Sequence, residues 1–346
     1  MPEPNNFAKD FTTQNQVAVA YYDHTKVNYN KAQLLIEQTF KLLGMDKPNE
    51  DTDLWNPLGV LINNGDTVLL KPNLIKESHI SRSDQWEQIV THPAIIKAVL
   101  HYVFKALNGT GKVIVADGPQ TDSSFSKIYK RLNLGAIKNQ SYKLYGQEID
   151  ILDLREEEWI AVNGVIKKRT KLKGDPKGYL EIDLEHASEF TWDKGNKKYY
   201  GAEPNYRGAQ AVHTGINHSY RVSASVLDSN VIINLPKLKT HKKTGVTLSL
   251  KNLVGIHGDR NRLPHHSMGI PAEGGDEFPS SNVKYKIQSL LTRILHNWMF
   301  LRGTSGILEQ FLKTLGYKIF GKTEDVIRSG NWYGNDTTWR MALDLN

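Results

Sequence analysis

The sequence predicts an α/β protein: a doubly wound, mainly parallel sheet carrying an inserted β-hairpin region and C-terminal helices. Three observations predict it. Strand-like and helix-like patterns alternate over the first 150 residues, the order that β-α-β units require. Short continuous apolar runs, such as 67–71 and Val231-Ile232-Ile233, have the length and character of strands buried on both faces. With 39% hydrophobic and 23% charged residues in 346, a packed core is expected and wholesale disorder is excluded.

Taken in order, residues 17–22 alternate as a strand, and 30–43 carry Leu34, Leu35, Phe40, Leu42 and Leu43 at near-helical spacing, with Gly44 as the stop. Residues 67–71 form the next strand. Thr91 can cap a helix with Pro93 in its first turn and a stripe from Ile95 to Leu107. Residues 112–116 are a strand, 124–132 a helix and 148–154 a strand. Residues 156–200 are rich in lysine and glutamate with short alternations such as 179–184, and read as a β-hairpin insertion. The core pattern returns at 223–238, with a turn at 228–230 and a buried strand at 231–235. A Gly/Pro-rich loop follows at 264–279, then helices at 284–301 and 307–320. The expected division is 1–155 and 206–262 as two parts of one core, 156–205 as the insertion, and 263–346 as the loop and helical end. Near the C-terminus, Asp336 or Thr337 can cap a helix with Trp339 and Leu343 along it. So short a helix must dock on the core to persist, and apolar surface left uncovered there would favour self-association.

No apolar run nears the roughly 18 residues of a membrane helix, and the polar start lacks a signal peptide's apolar stretch. The absence of cysteine excludes disulfides, thiolate zinc sites, cysteine nucleophiles and cysteine-ligated iron–sulfur clusters. A cytoplasmic protein without a membrane span is expected.

The net charge of +7 is concentrated. Residues 236–262 hold seven lysines and arginines against Asp259 alone, a net +6. Apolar residues interleave with these cations, so the segment folds and directs several of them to one place, as an anion site requires. Zinc-finger, helix-turn-helix and aromatic RNA-binding signatures are missing, which disfavours nucleic acid. Parallel sheets place ligands at the carboxyl ends of their strands. Three such ends carry chemistry here: Lys71-Pro72-Asn73, the loop from Asp117 through Gly118 to Ser124, and the run from Asn234 to Gly255. In the last, Lys237, Lys239 and His241 alternate along an extended stretch and share a face. A helix is then expected over 244–252, setting Thr244, Thr247, Leu248 and Lys251 along one side.

These runs are recognisable. INLPKLKTHKKTGVTLSLKNLVG (233–255), LLKPN (69–73), THP (91–93) and VIVADGP (113–119) resemble the domain-of-unknown-function 362 family. The C-terminal GNWYGNDTTWRMALDLN (330–346) looks like a subgroup of it. The resemblance implies an α/β fold without a settled activity. Many members carry iron–sulfur cysteines, so their electron-transfer role does not carry over to a chain lacking them. Members usually continue with a further glycine-rich motif, which implies a chain shortened relative to the family. More distantly, the lysine–histidine pattern is similar to the nickel-pincer lactate racemase group, as an analogy.

His257, His265 and His266 offer nitrogen ligands to a divalent ion, but their spacing matches no recognised metal motif and the surrounding charge opposes a cation. Gly-x-Ser-x-Gly, Walker and Gly-x-Gly-x-x-Gly signatures are missing. The cofactor is otherwise unspecified. The sequence therefore leads to a site for a phosphorylated or carboxylated small molecule. Lys71, Asn73, Lys237, Lys239, Thr244, Lys251 and Asn252 would bind it, with His241, His257 and Asp117 in catalysis. The alternative is a non-catalytic binding or assembly module using the same groove.

Overall fold

The computed structural model describes residues 16–21, 27–79, 82–162, 165–201, 206–302, 307–321, 327 and 329–346. Helix α1 (Tyr29–Leu42) leads into β1 (Thr67–Pro72), α2 (Pro93–Leu107) and β2 (Lys112–Asp117). Helices α3 (Phe125–Arg131) and α4 (Leu134–Tyr145) then return the chain to β3 (Ile149–Asp153). The inserted region holds β4 (Glu157–Val162), β5 (Val165–Lys171), β6 (Tyr179–Asp183) and β7 (Tyr199–Tyr200). Next come α5 (Tyr206–Val212), β8 (His213–Thr214), β9 (Asn217–Ser223), α6 (Ala224–Leu227) and β10 (Val231–Leu235). The basic segment forms β11 (Lys239–His241), β12 (Gly245–Thr247) and α7 (Ser249–Asn252). Strand β13 (His266–Ser267) and helices α8 (Val283–Arg302), α9 (Ile307–Phe320) and α10 (Thr337–Asp344) complete the order.

The central sheet is parallel with order β10-β1-β2-β3. Its apolar runs sort by the period of two. Val68, Leu70, Val113 and Val115 face the helical layer, meeting Ile96, Val99, Val103, Ile128 and Leu132. Leu69, Ile114 and Ala116 face the other way, against Phe190, Tyr199, Tyr220, Val222 and Ile256. Each such side chain contributes roughly 1.5–3 kcal/mol by leaving water. The register of β10 on β1 is set at its start, where Asn230 Oδ1 accepts from Thr67 N at 2.8 Å and Asn230 N donates to Thr67 O at 2.9 Å.

Two local expectations are corrected. Val17, Val19 and Tyr21 stand exposed outside any strand, because no strand of the described sheet offers this segment a ladder; Tyr22 lies outside the described residues. The helix expected over 244–252 is only α7. The chain first turns back at Gly245, whose φ of +73° favours glycine, and β11 pairs antiparallel with β12. The β-branched Thr244, Val246 and Thr247 suit that hairpin better than a helix.

The terminal helix docks. Asp276 Oδ2 accepts from Asp336 N and Thr337 N at 2.9 and 2.8 Å at its start. Met341 is wholly buried on the sheet's second face. At the far end Asp344 accepts from Ser188 Oγ, Glu189 N and Tyr220 OH at 2.6–2.7 Å.

Candidate functional site

Strands β1, β2 and β10 deliver their carboxyl ends to one edge. Lys71, wholly buried at the end of β1, sets its Nζ 2.5 Å from Asp117 Oδ1 at the end of β2. Asp117 Oδ2 accepts from Leu74 N at 2.6 Å. Burial pulls the Lys71 ammonium pKa down, and Asp117 opposes that shift. Gly255 closes over the pair. A Cβ at that position would collide with Asp117 Oδ1 and Lys71 Nζ, and Gly255 O accepts from Gly118 N at 2.8 Å.

Asparagines frame this edge. Asn252 Nδ2 donates to Lys71 O and to Asn234 Oδ1, both at 2.8 Å. Asn73 N donates to Thr91 Oγ1 at 2.8 Å, and that hydroxyl donates to Leu235 O at 2.6 Å. Asn73 Oδ1 accepts from Lys239 Nζ at 3.0 Å, which also donates to Ile89 O at 2.6 Å. The β11–β12 hairpin is thereby laid across the ends of β1 and β10.

Cations then accumulate without matching acids. Lys239 and Lys243 are each lowered to about 8, first by burial. Lys243 Nζ donates to His265 O at 3.0 Å and Ser329 O at 2.5 Å, carbonyls that fix the ammonium without neutralising it. Lys251 is lowered to about 7 by burial and then by Arg260, Lys243 and Lys239. Among the described residues its ammonium has no hydrogen-bond or ion-pair partner. Arg260 is lowered to about 10, mainly by burial; its Nη1 donates to Val254 O at 2.9 Å while its buried Nε finds no acceptor. Among the described residues the acids that offset these charges are Asp117, Asp276 and, for Arg260, Asp153; Asp117 is already bonded to Lys71 and Asp153 to Arg155.

His241 is held to about 3 by burial and by Lys251, Lys243 and Lys239, so it is neutral at ordinary pH. Its Nδ1 faces the backbone N–H groups of Lys243 and Thr244 at 3.2 and 3.3 Å, which leaves the proton on Nε2. His265 is also held neutral, first by burial and then by Lys243 and Lys251. Its Nδ1 donates to Leu263 O at 2.9 Å, so Nε2 is its acceptor. Thr247 lies opposite Lys239 in the hairpin, hence on the same face, and its hydroxyl is buried without a partner.

Of the residues singled out by sequence, the structure brings Lys239, His241 and Lys251 together. Lys71, Asp117, Asn73 and Asn252 form the frame beneath them. Lys237 stands at the rim near Glu87 and His92, its pKa lowered first by burial. Thr244 is a turn residue, donating from Oγ1 to Val246 O at 3.1 Å. His257 lies elsewhere, wholly buried, with its ring nitrogens against Arg221 N and Asp259 N at 2.9 and 3.1 Å. The three histidines weighed as metal ligands do not converge: among the described residues no three His, Asp or Glu side chains are grouped to hold an ion. His266 stacks on Tyr200 at 5.0 Å.

Sequence reasoning missed Lys243 and Arg260 as site residues; it set Thr247 beside Lys251 only through an expected helix, and weighed His265 only as a metal ligand. Lys243 continues the alternation 237, 239, 241 and was legible. Arg260 and His265 arrive only through the folding of the loops after Gly255.

The sequence profile described as "Domain of unknown function (DUF362)" matches residues 68–183 and 198–315, more than half of the chain. The chain belongs to the DUF362 family. Among curated proteins it is similar to the thylakoid-associated protein sll1697 of Synechocystis sp. (strain ATCC 27184 / PCC 6803 / Kazusa). The two are 25% identical over 205 residues, 58% of this chain and 43% of that protein. The chain thus matches less than half the length of that relative. No solved structure matches significantly. Among the described residues no helix is long and apolar enough to cross a membrane.

Proposed function

We propose that this DUF362 chain binds a small phosphorylated or carboxylated molecule at the carboxyl edge of its sheet. Lys239, Lys243, Lys251 and Arg260 would surround the anion. The observation that carries the reading is Lys251, an ammonium without a partner among the described residues, set among three other cations. A fold does not gather uncompensated charge at such desolvation cost without something to offset it, and an anion of two or more charges offsets it. The partnerless hydroxyl of Thr247 and Nε of Arg260 supply further donors.

As a catalyst, such a site would move its proton through Lys251, whose pKa of about 7 suits operation near neutrality. Neutral His241 would donate from Nε2 to an anionic oxygen, and His265 Nε2 would accept. As a binding module, the site would need only the cations.

Titration calorimetry with pyrophosphate and citrate tests the reading. Lys251→Ala should weaken the better ligand about 10- to 100-fold, the loss of one charged hydrogen bond in a partly desolvated site. The unfolding midpoint should hold or rise, since the residue has no partner to lose. Equal affinity in parent and variant would reject the site.

A further inference from the structure

We propose that α8 and α9 form a surface that lies on an anionic lipid bilayer, with their apolar stripes set into the headgroup layer. The first observation is an inverted helix. α8 turns Gln288 and Ser289 inward, only 5% and 6% exposed, and Ser289 Oγ donates to the carboxylate of buried Glu277 at 3.0 Å. Ile287, Leu290, Leu291 and Ile294 recur at helical spacing on the outward side, each between 43% and 55% exposed. A helix that merely packs on a globular core shows the reverse arrangement. The second observation is α9, which packs beside α8 and repeats the pattern. Its Ile307, Phe311, Leu315 and Ile319, four residues apart, are also exposed. Apolar stripes on two touching helices leave more exposed apolar surface than a monomeric domain in water ordinarily carries.

Charge selects the occupant. Residues 283–320 contain Lys284, Lys286, Arg293, Arg302, Lys313 and Lys318 against Glu309 alone, a net +5. Lys284, Lys286 and Lys318 are exposed beside the stripes. A second copy meeting this face with its own would bring like charges together. A bilayer rich in anionic lipid offers apolar depth and the opposite sign in one partner. Because, among the described residues, neither helix is long and apolar enough to cross a membrane, the geometry is that of helices lying in the interface plane.

The test is flotation of the full chain with vesicles of phosphatidylcholine alone, or of phosphatidylcholine mixed equally with phosphatidylglycerol. The chain should float with the mixed vesicles, stay behind with the neutral ones, and be released by high salt. Leu290→Asp with Ile294→Asp should abolish flotation; both residues are about half exposed, at 55% and 49%, so circular dichroism should still show the helix. Lys284→Glu should lower partitioning about fivefold or more at low salt. Because the sequence has no cysteine, Phe311→Cys also gives a single labelling site for a polarity-sensitive dye, a readout independent of the aspartate variants. Its emission should shift blue on mixed vesicles only. Failure to float with either vesicle would overturn the proposal. So would a blue shift that grows with protein concentration without lipid, accompanied by a dimer in sedimentation, because a second copy would then be the occupant.

Discussion

At the scale of single residues, the Lys71–Asp117 pair and Gly255 behave as one unit. Two charges removed from water cost several kcal/mol each, and their attraction recovers that only while both remain. Asp117→Ala would strand the wholly buried Lys71 ammonium and orphan Leu74 N, so the expected loss is about 3–5 kcal/mol, read from urea unfolding. Gly255→Ala should lose about 1–3 kcal/mol by overpacking, since its Cβ would press on the pair itself. Lys251 has no such entanglement, and a loss as large for Lys251→Ala would contradict the division between frame and site. The pair was half legible in sequence. Lys71 and Asp117 each follow an apolar strand run, which marks them as strand-end residues. That they bond to each other, and so form the frame and not the ligand surface, depends on the register of β1 and β2, which no local pattern specifies.

At the scale of elements, what could be read was what repeats locally. β1, β2 and β10 are continuous apolar runs, and α2 carries a full apolar stripe behind Pro93. Even there the cap shifted by one residue, with His92 Nδ1 and not Thr91 accepting from Ala94 N, because Thr91 Oγ1 is engaged with Asn73 and Leu235. α4 escaped notice because only Leu134, Ile137 and Ser141 are buried, a stripe too narrow to separate from loop. The β11–β12 hairpin was misread because its cations dominate the pattern while Gly245 decides the turn. α10 was legible as a helix that must dock, but its anchor, Asp276, lies 60 residues upstream in a Gly/Pro-rich loop. Asp276 also accepts from Ser267 N and Oγ at 2.6 and 3.2 Å. Asp276→Ala should therefore cost about 3 kcal/mol by leaving buried donors unmade, and the amides of α10 should exchange with deuterium markedly faster. Protection of α10 unchanged in that variant would show that Met341 and Asp344 suffice to hold it.

At the scale of the whole molecule, the partly buried cations set an unusual dependence of stability on pH. In the folded chain Lys239 and Lys243 titrate at about 8 and Lys251 at about 7, whereas an unfolded lysine titrates near 10.4. Between about 7 and about 9.5 these three lysines therefore hold more protons in the unfolded chain than in the folded one, and their contribution makes stability rise with pH. His241 acts in the same sense lower down. Its pKa of about 3 lies below the unfolded value near 6.5, so acidification below that value favours unfolding. Without a bound anion the urea midpoint should thus climb from about pH 7 to about pH 9.5, past the neutral optimum usual for proteins. Pyrophosphate should reverse the trend in one stroke: neutralising the ammoniums raises their folded pKa values, so stabilisation should be greatest near neutrality and fade as the lysines lose their protons. Midpoints measured in chloride buffer at several pH values, with and without pyrophosphate, would read both slopes. A flat or falling anion-free profile across that window would mean that the lysines keep ordinary pKa values, and that the charge at the sheet edge is solvated and not stored.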